Sequence, residues 1–245
     1  MIEQTVDIQT RDGACTTFIA HPDRGGPHPV VLFYMDAPAI REELRDMARR
    51  LASAGYYVVL PNLYYRSGVM ELGPIDGSPG SAWMKRMFVL MSSIDIAKVM
   101  SDTDGLLAYV DTQAAAKKGP VGAMGYCMSG QYAISAAARY PDRVKAAASL
   151  YGVALVTEKP DSPHLAARKA TGEIYVACAE TDQFAPQEMV DALRADFAAS
   201  KVNGEVESYP GTHHGFAFPG RPQYDKPAAE RHWARLHALF QRNLK

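Results

Sequence analysis

Two hydrophobic rhythms alternate along this chain. Residues 4–20 alternate apolar and polar side chains around the turn-forming trio Arg11-Asp12-Gly13, which predicts a β-hairpin. Residues 29–34 (PVVLFY) are instead a continuous apolar run, the signature of a strand covered on both faces. Ile40, Leu44, Met47, Ala48 and Leu51 then recur at helical spacing, with Gly55 as a stop. A second buried-type strand over 56–60 closes at Pro61. Four glycines and two prolines (Gly68, Gly73, Gly77, Gly80, Pro74, Pro79) make 68–80 a loop.

The second half repeats the alternation. One long helix is expected over 84–110, a strand over 121–126, a helix over 129–140, and strands over 144–150 and 173–179. A helix over 186–200, a short strand over 205–209 and a closing helix marked by Ala229, Trp233, Leu236 and Phe240 complete the chain. Apolar strands alternating with helices predict an α/β fold: a mostly parallel, twisted sheet with helices on both faces. No repeat or linker interrupts the pattern, so a single domain over 1–245 is expected. Such a fold does not by itself decide function.

Composition narrows the partners. Of 245 residues, 47% are hydrophobic and 22% charged, enough to bury a sizeable core. Twenty-six basic residues against 27 acidic ones leave a net charge of −1, with no bulk attraction to nucleic acid or an anionic membrane. No apolar run nears the roughly 20 residues that span a bilayer, and the first residues lack the pattern of a secretory signal. Three cysteines cannot build a disulfide framework, which suits a reducing, cytoplasmic setting. Dinucleotide, P-loop and metal-ligand motifs are absent, so neither cofactor nor metal is expected. The expected partner is a small molecule, and the chain a monomer or small homo-oligomer.

The most informative stretch is Gly125-Tyr126-Cys127-Met128-Ser129-Gly130, between a predicted strand and a predicted helix. It follows the nucleophile-elbow pattern, with Cys in place of Ser. A sharp strand-to-helix turn crowds the backbone, so small residues must flank it. The turn lifts the Cys127 side chain above the sheet, where the N–H groups opening the helix favour a thiolate and can bind an oxyanion. Cys178, inside the apolar run IYVACA, reads as core, and Cys15 is given no role.

A thiol nucleophile needs a base, and the base an orienter. In α/β-hydrolases the order along the chain is nucleophile, acid, histidine. Asp182 follows the strand that ends near 179, at a strand's carboxyl end where ligands gather, with Glu180 as the alternative acid. The loop Tyr209-Pro210-Gly211-Thr212-His213-His214-Gly215-Phe216 follows the last strand and offers two histidines. The order is right, and the spacing leaves room for the elements between.

With these residues the sequence resembles the dienelactone hydrolase family of α/β-hydrolases. The resemblance covers nearly the whole chain and rests on VVLFYMDAPAI at 30–40, GYYVVLPNLYYR at 55–66, the elbow GYCMSG and the loop YPGTHHGFAF. It implies a Cys-His-Asp triad of Cys127, His214 and Asp182, selecting His214 because the family's histidine directly precedes a small residue and Phe. It also implies that Asp36, where the family usually has Glu, contacts the resting thiol. The oxyanion is expected on the backbone N–H groups of Met128 and Ala37. Substrate contacts are expected from Tyr126, Phe216 and Phe218, with Lys85 or Arg86 as the basic residue before the long helix. Phe218 stands where family members acting on dienelactone carry a carboxylate-binding arginine, so an ester or lactone other than the namesake substrate is open. The implied activity is hydrolysis of carboxylic esters or lactones through an acyl-thioester. Two rivals from other classes remain: a peroxide-sensitive thiol protein using Cys127, and a non-catalytic binding scaffold.

Overall fold

The computed structural model describes residues 1–245 and resolves into two compact units, Met1–Lys118 and Gly119–Lys245.

In the first unit, β1 (Ile2–Thr10) and β2 (Gly13–His21) form the expected hairpin, with Thr10 paired to Gly13 at the turn. β3 (His28–Tyr34) is buried along its whole length, as its unbroken apolar run predicts. α1 (Glu42–Ser53) buries Leu44, Met47, Ala48, Leu51 and Ala52, with Glu42 and Glu43 in its first turn and Arg50 in its last, complementing the helix dipole. β4 (Tyr57–Pro61) lies antiparallel to β2 and parallel to β3, giving the order β1-β2-β4-β3.

The expected long helix is two helices. α2 (Ala82–Ser92) ends at Ser93, and α3 (Ile96–Thr112) starts afresh at Asp95. The cause is local. Ser93 Oγ donates to the Leu90 carbonyl, and Asp95 in an extended conformation accepts from the Lys98 N–H, a helix N-cap. α3 carries the buried Asp102, whose oxygens accept from Arg66 at 2.7 and 2.9 Å and from the Tyr65 hydroxyl at 2.8 Å.

In the second unit, β5 (Ala116–Tyr126), β6 (Val144–Leu150), β7 (Glu173–Thr181) and β8 (Gly204–His213) pair in that order, all parallel. α4 (Gly130–Arg139) follows β5, the short α5 (Pro163–Ala167) precedes β7, and α6 (Gln187–Ser200) joins β7 to β8. α7 (Lys226–Leu244) closes the chain; Asp225 caps it through the Ala228 N–H, and it buries Ala229, His232, Trp233, Leu236, Leu239 and Phe240. β8 runs four residues past the expected 205–209, because His213 still pairs with Thr181. No helix is long and apolar enough to cross a membrane.

Candidate active site

The site is assembled at the carboxyl ends of β5, β7 and β8. β5 ends at Tyr126, and Cys127 adopts φ 52, a left-handed conformation that a non-glycine residue holds only under constraint. The constraint is visible in the packing. A Cβ on Gly125 would lie 2.3 Å from the Ser129 carbonyl oxygen, and one on Gly130 would lie 2.3 Å from Ser149 Oγ and 2.6 Å from the Gly152 Cα. The chain can therefore fold back this tightly only with hydrogen at both positions. Cys127 is left partly exposed at the turn, and its carbonyl accepts from the Val153 N–H.

Asp182 follows β7 directly. Its side chain is 1% exposed. Oδ1 accepts from the N–H groups of Phe184 (2.9 Å) and Ala185 (3.2 Å), which fixes the carboxylate in its loop. Oδ2 lies 2.7 Å from His214 Nδ1. A carboxylate only accepts, so Nδ1 carries the proton and Nε2 is the free base of the neutral ring.

His214 leaves the end of β8 next to Gly215 at φ 92. The rings of Tyr151 and Phe184 each meet the imidazole edge-on at 5.0 Å. Burial opposes a charge on this ring, but the Asp182 hydrogen bond and the neighbouring Cys127 outweigh it, raising His214 from 6.5 to about 9. Nε2 is buried, and the Cys127 side chain is, after Asp182, among the neighbours that raise the ring.

The other two thiols differ. Cys15 and Cys178 are buried in strands, and burial is the main cause that pushes each up to about 12. Such thiols hold almost no thiolate near neutrality.

Glu180, the alternative acid, is exposed and accepts from the Gly211 N–H at 2.9 Å, shaping the histidine loop without holding a histidine. His213 is exposed within β8. Tyr126, Phe216 and Phe218, expected against substrate, are instead wholly buried. Tyr126 packs on Phe218 at 5.1 Å, and Phe216 stacks on Tyr209 at 5.0 Å. β5 and the histidine loop turn these rings inward, where Tyr126 and Phe216 meet His232 of α7.

Asp36, Ala37, Lys85 and Arg86 lie in the first unit. Asp36 is wholly buried after β3, and both its oxygens accept from Arg41, at 2.6 and 3.1 Å. α1 is not capped by the Asp36 side chain, since its N-cap residue is Arg41. Ala37 is buried, and its carbonyl accepts from the Tyr64 hydroxyl at 2.9 Å. Lys85 and Arg86 are exposed on α2. Met128 is buried in the turn that opens α4.

Tyr151 and Phe184 are the site residues that sequence reasoning did not single out. Both had a readable signal, since each sits just past the carboxyl end of a strand, Tyr151 after β6 and Phe184 two residues beyond Asp182.

A model of the dienelactone hydrolase family matches residues 15–244. A Methylorubrum extorquens protein named "Putative carboxymethylenebutenolidase" is 29% identical over 244 residues, 98% of this chain and 81% of its own length. A Synechocystis protein of the same name is 28% identical over 253 residues, 98% of this chain and 100% of its own. Among solved structures, a "Putative Dienelactone Hydrolase" from Klebsiella pneumoniae superposes with a TM-score of 0.87 at 25% identity, covering 98% of both chains.

Proposed function

The chain belongs to the dienelactone hydrolase family, and we propose that it hydrolyses carboxylic esters or lactones through Cys127, His214 and Asp182. One observation carries the reading. The only thiol left partly exposed sits on a constrained strand-to-helix turn beside His214, and Asp182, 2.7 Å from the Nδ1 of that ring, together with the thiol raises His214 to about 9.

The steps follow from these groups. His214 Nε2 takes the thiol proton, and the raising of His214 from 6.5 to about 9 makes it a stronger acceptor for that proton. The sulfur attacks the substrate carbonyl carbon, and the carbonyl π pair moves onto oxygen. The Met128 N–H, at the turn that opens α4, is the donor assigned to that developing charge. A donor of this kind is worth about 3 kcal/mol of barrier. Collapse breaks the carbon–oxygen bond, and His214 passes its proton to the leaving alkoxide. Water, deprotonated by His214, then attacks the thioester, releasing the carboxylic acid and restoring the thiol. Asp182 keeps the proton on Nδ1 throughout and stabilises the imidazolium. Thiolate is itself a good leaving group, so the first tetrahedral intermediate readily collapses backwards. Activated esters and strained lactones are therefore the favoured substrates, ahead of amides.

Cys127→Ala tests the proposal on a panel of p-nitrophenyl esters and small lactones. Hydrolysis should vanish while circular dichroism stays unchanged, and the acyl adduct seen by mass spectrometry of the unmodified protein should be lost. A fully active Cys127→Ala protein overturns the reading.

A further inference from the structure

Resting on the reading of Cys127 as the nucleophile, we propose that His232 is a positioning residue that holds the nucleophile turn and the histidine loop together through Tyr126 and Phe216.

His232 lies on α7, wholly buried. An imidazole in such a place costs solvation that an aliphatic side chain would not, unless its nitrogens are bonded. Both are. Nδ1 meets the Ala229 carbonyl, and Nε2 lies 2.8 Å from the Tyr126 hydroxyl. A carbonyl oxygen only accepts, so Nδ1 carries the proton. Nε2 of the neutral ring then accepts from the Tyr126 O–H. The tautomer is thus fixed by the helix itself, and one directed hydrogen bond crosses from α7 to the last residue of β5.

That residue is the immediate neighbour of Cys127, at φ 52. A left-handed cysteine persists only where its surroundings over-determine it. Anchoring the Tyr126 ring end supplies part of that determination from the strand side, as the close packing of Gly125 and Gly130 does from the turn side. His232 also meets the Phe216 ring edge-on at 6.1 Å and 89°, two residues beyond His214. Tyr151 completes the frame, touching Tyr126 at 5.5 Å, Phe216 at 5.3 Å and His214 at 5.0 Å. One side chain on α7 thus braces the segments that carry sulfur and base.

Three variants test this: His232→Leu, Tyr126→Phe and His232→Gln, whose amide oxygen can still accept from Tyr126. The readouts are kcat and KM on p-nitrophenyl acetate and the His214 titration followed by its ring-proton NMR signal. His232→Leu and Tyr126→Phe should each lower kcat at least tenfold with KM within threefold. Each should also move the His214 midpoint down from about 9. The double variant should be no worse than either single one, and His232→Gln should recover most of the loss. Unchanged kcat and an unmoved His214 midpoint, or losses that multiply in the double variant, overturn the proposal. If His232→Leu fails to fold, Tyr126→Phe, which removes a single oxygen, decides by the same two readouts. The NMR midpoint does not depend on turnover. Should hydrolysis survive in Cys127→Ala, the catalytic reading fails while the brace is still judged by that midpoint.

Discussion

Asp182→Asn isolates what the carboxylate does, because asparagine is nearly the same shape. Oδ1 of the new amide would still accept from the Phe184 and Ala185 N–H groups, so the loop after β7 keeps its bonds. The atom facing His214 Nδ1, now 2.7 Å away, changes from an acceptor into an NH2 donor or turns aside. With a donor opposite, the neutral ring moves its proton from Nδ1 to Nε2. An Nε2–H cannot take the proton of Cys127. The imidazolium also loses a buried counter-charge, so the influences that raise His214 to about 9 weaken while the burial that opposes them stays. Wrong-tautomer substitutions of this kind cost about 10⁴ in kcat in hydrolases built on the same logic, roughly 5.5 kcal/mol. The expected result is a fall of about 10³ to 10⁴ in kcat/KM on a p-nitrophenyl ester, with unchanged circular dichroism and a His214 titration moved to lower pH. A kcat/KM within tenfold of the parent protein would refute the argument, since Asp182 would then not set the tautomer.

Two further outcomes follow from the same geometry. His214 is raised when folded, so its contribution to stability is complete below about pH 6.5 and is lost as pH climbs through about 9. At roughly 1.4 kcal/mol per pH unit this is about 3 kcal/mol, so the urea-unfolding gap between the parent and His214→Gln should narrow by that order from pH 6 to pH 9.5; parallel curves would contradict it. Gly125→Ala would drive a Cβ to 2.3 Å from the Ser129 carbonyl oxygen, against backbone that cannot swing away. It should cost at least about 3 kcal/mol and abolish hydrolysis, and a thermal midpoint within two degrees of the parent would rule out that crowding.

What could be read in advance was governed by how local each cause is. Buried strands show as unbroken apolar runs, and α1 as a stripe at helical spacing, because each pattern lies within a dozen residues. Asp182 and His214 were readable for a related reason: position past a strand's carboxyl end is a local property, and the parallel order of β7 and β8 then brings both ends together. The break between α2 and α3 escaped because Ser93 and Asp95 look like ordinary polar positions until their side chains are seen bonding backbone. Phe216 and Phe218 escaped differently. An apolar ring on a glycine-bounded loop can face either a pocket or the interior, and nothing within the loop chooses. What they meet lies far off in sequence: Phe216 packs edge-on against His232 of α7, and Phe218 packs on Tyr126, which bonds that histidine 106 residues away. His232 carries no motif and, within α7, fits the buried stripe as any aromatic would. The role proposed for it comes into view only once distance in sequence is replaced by distance in space. The proposed reaction, which depends on sub-ångström placement of sulfur and imidazole, is therefore specified at two scales: its proposed reacting groups lie in short motifs, and the proposed brace is written in tertiary contacts no motif records.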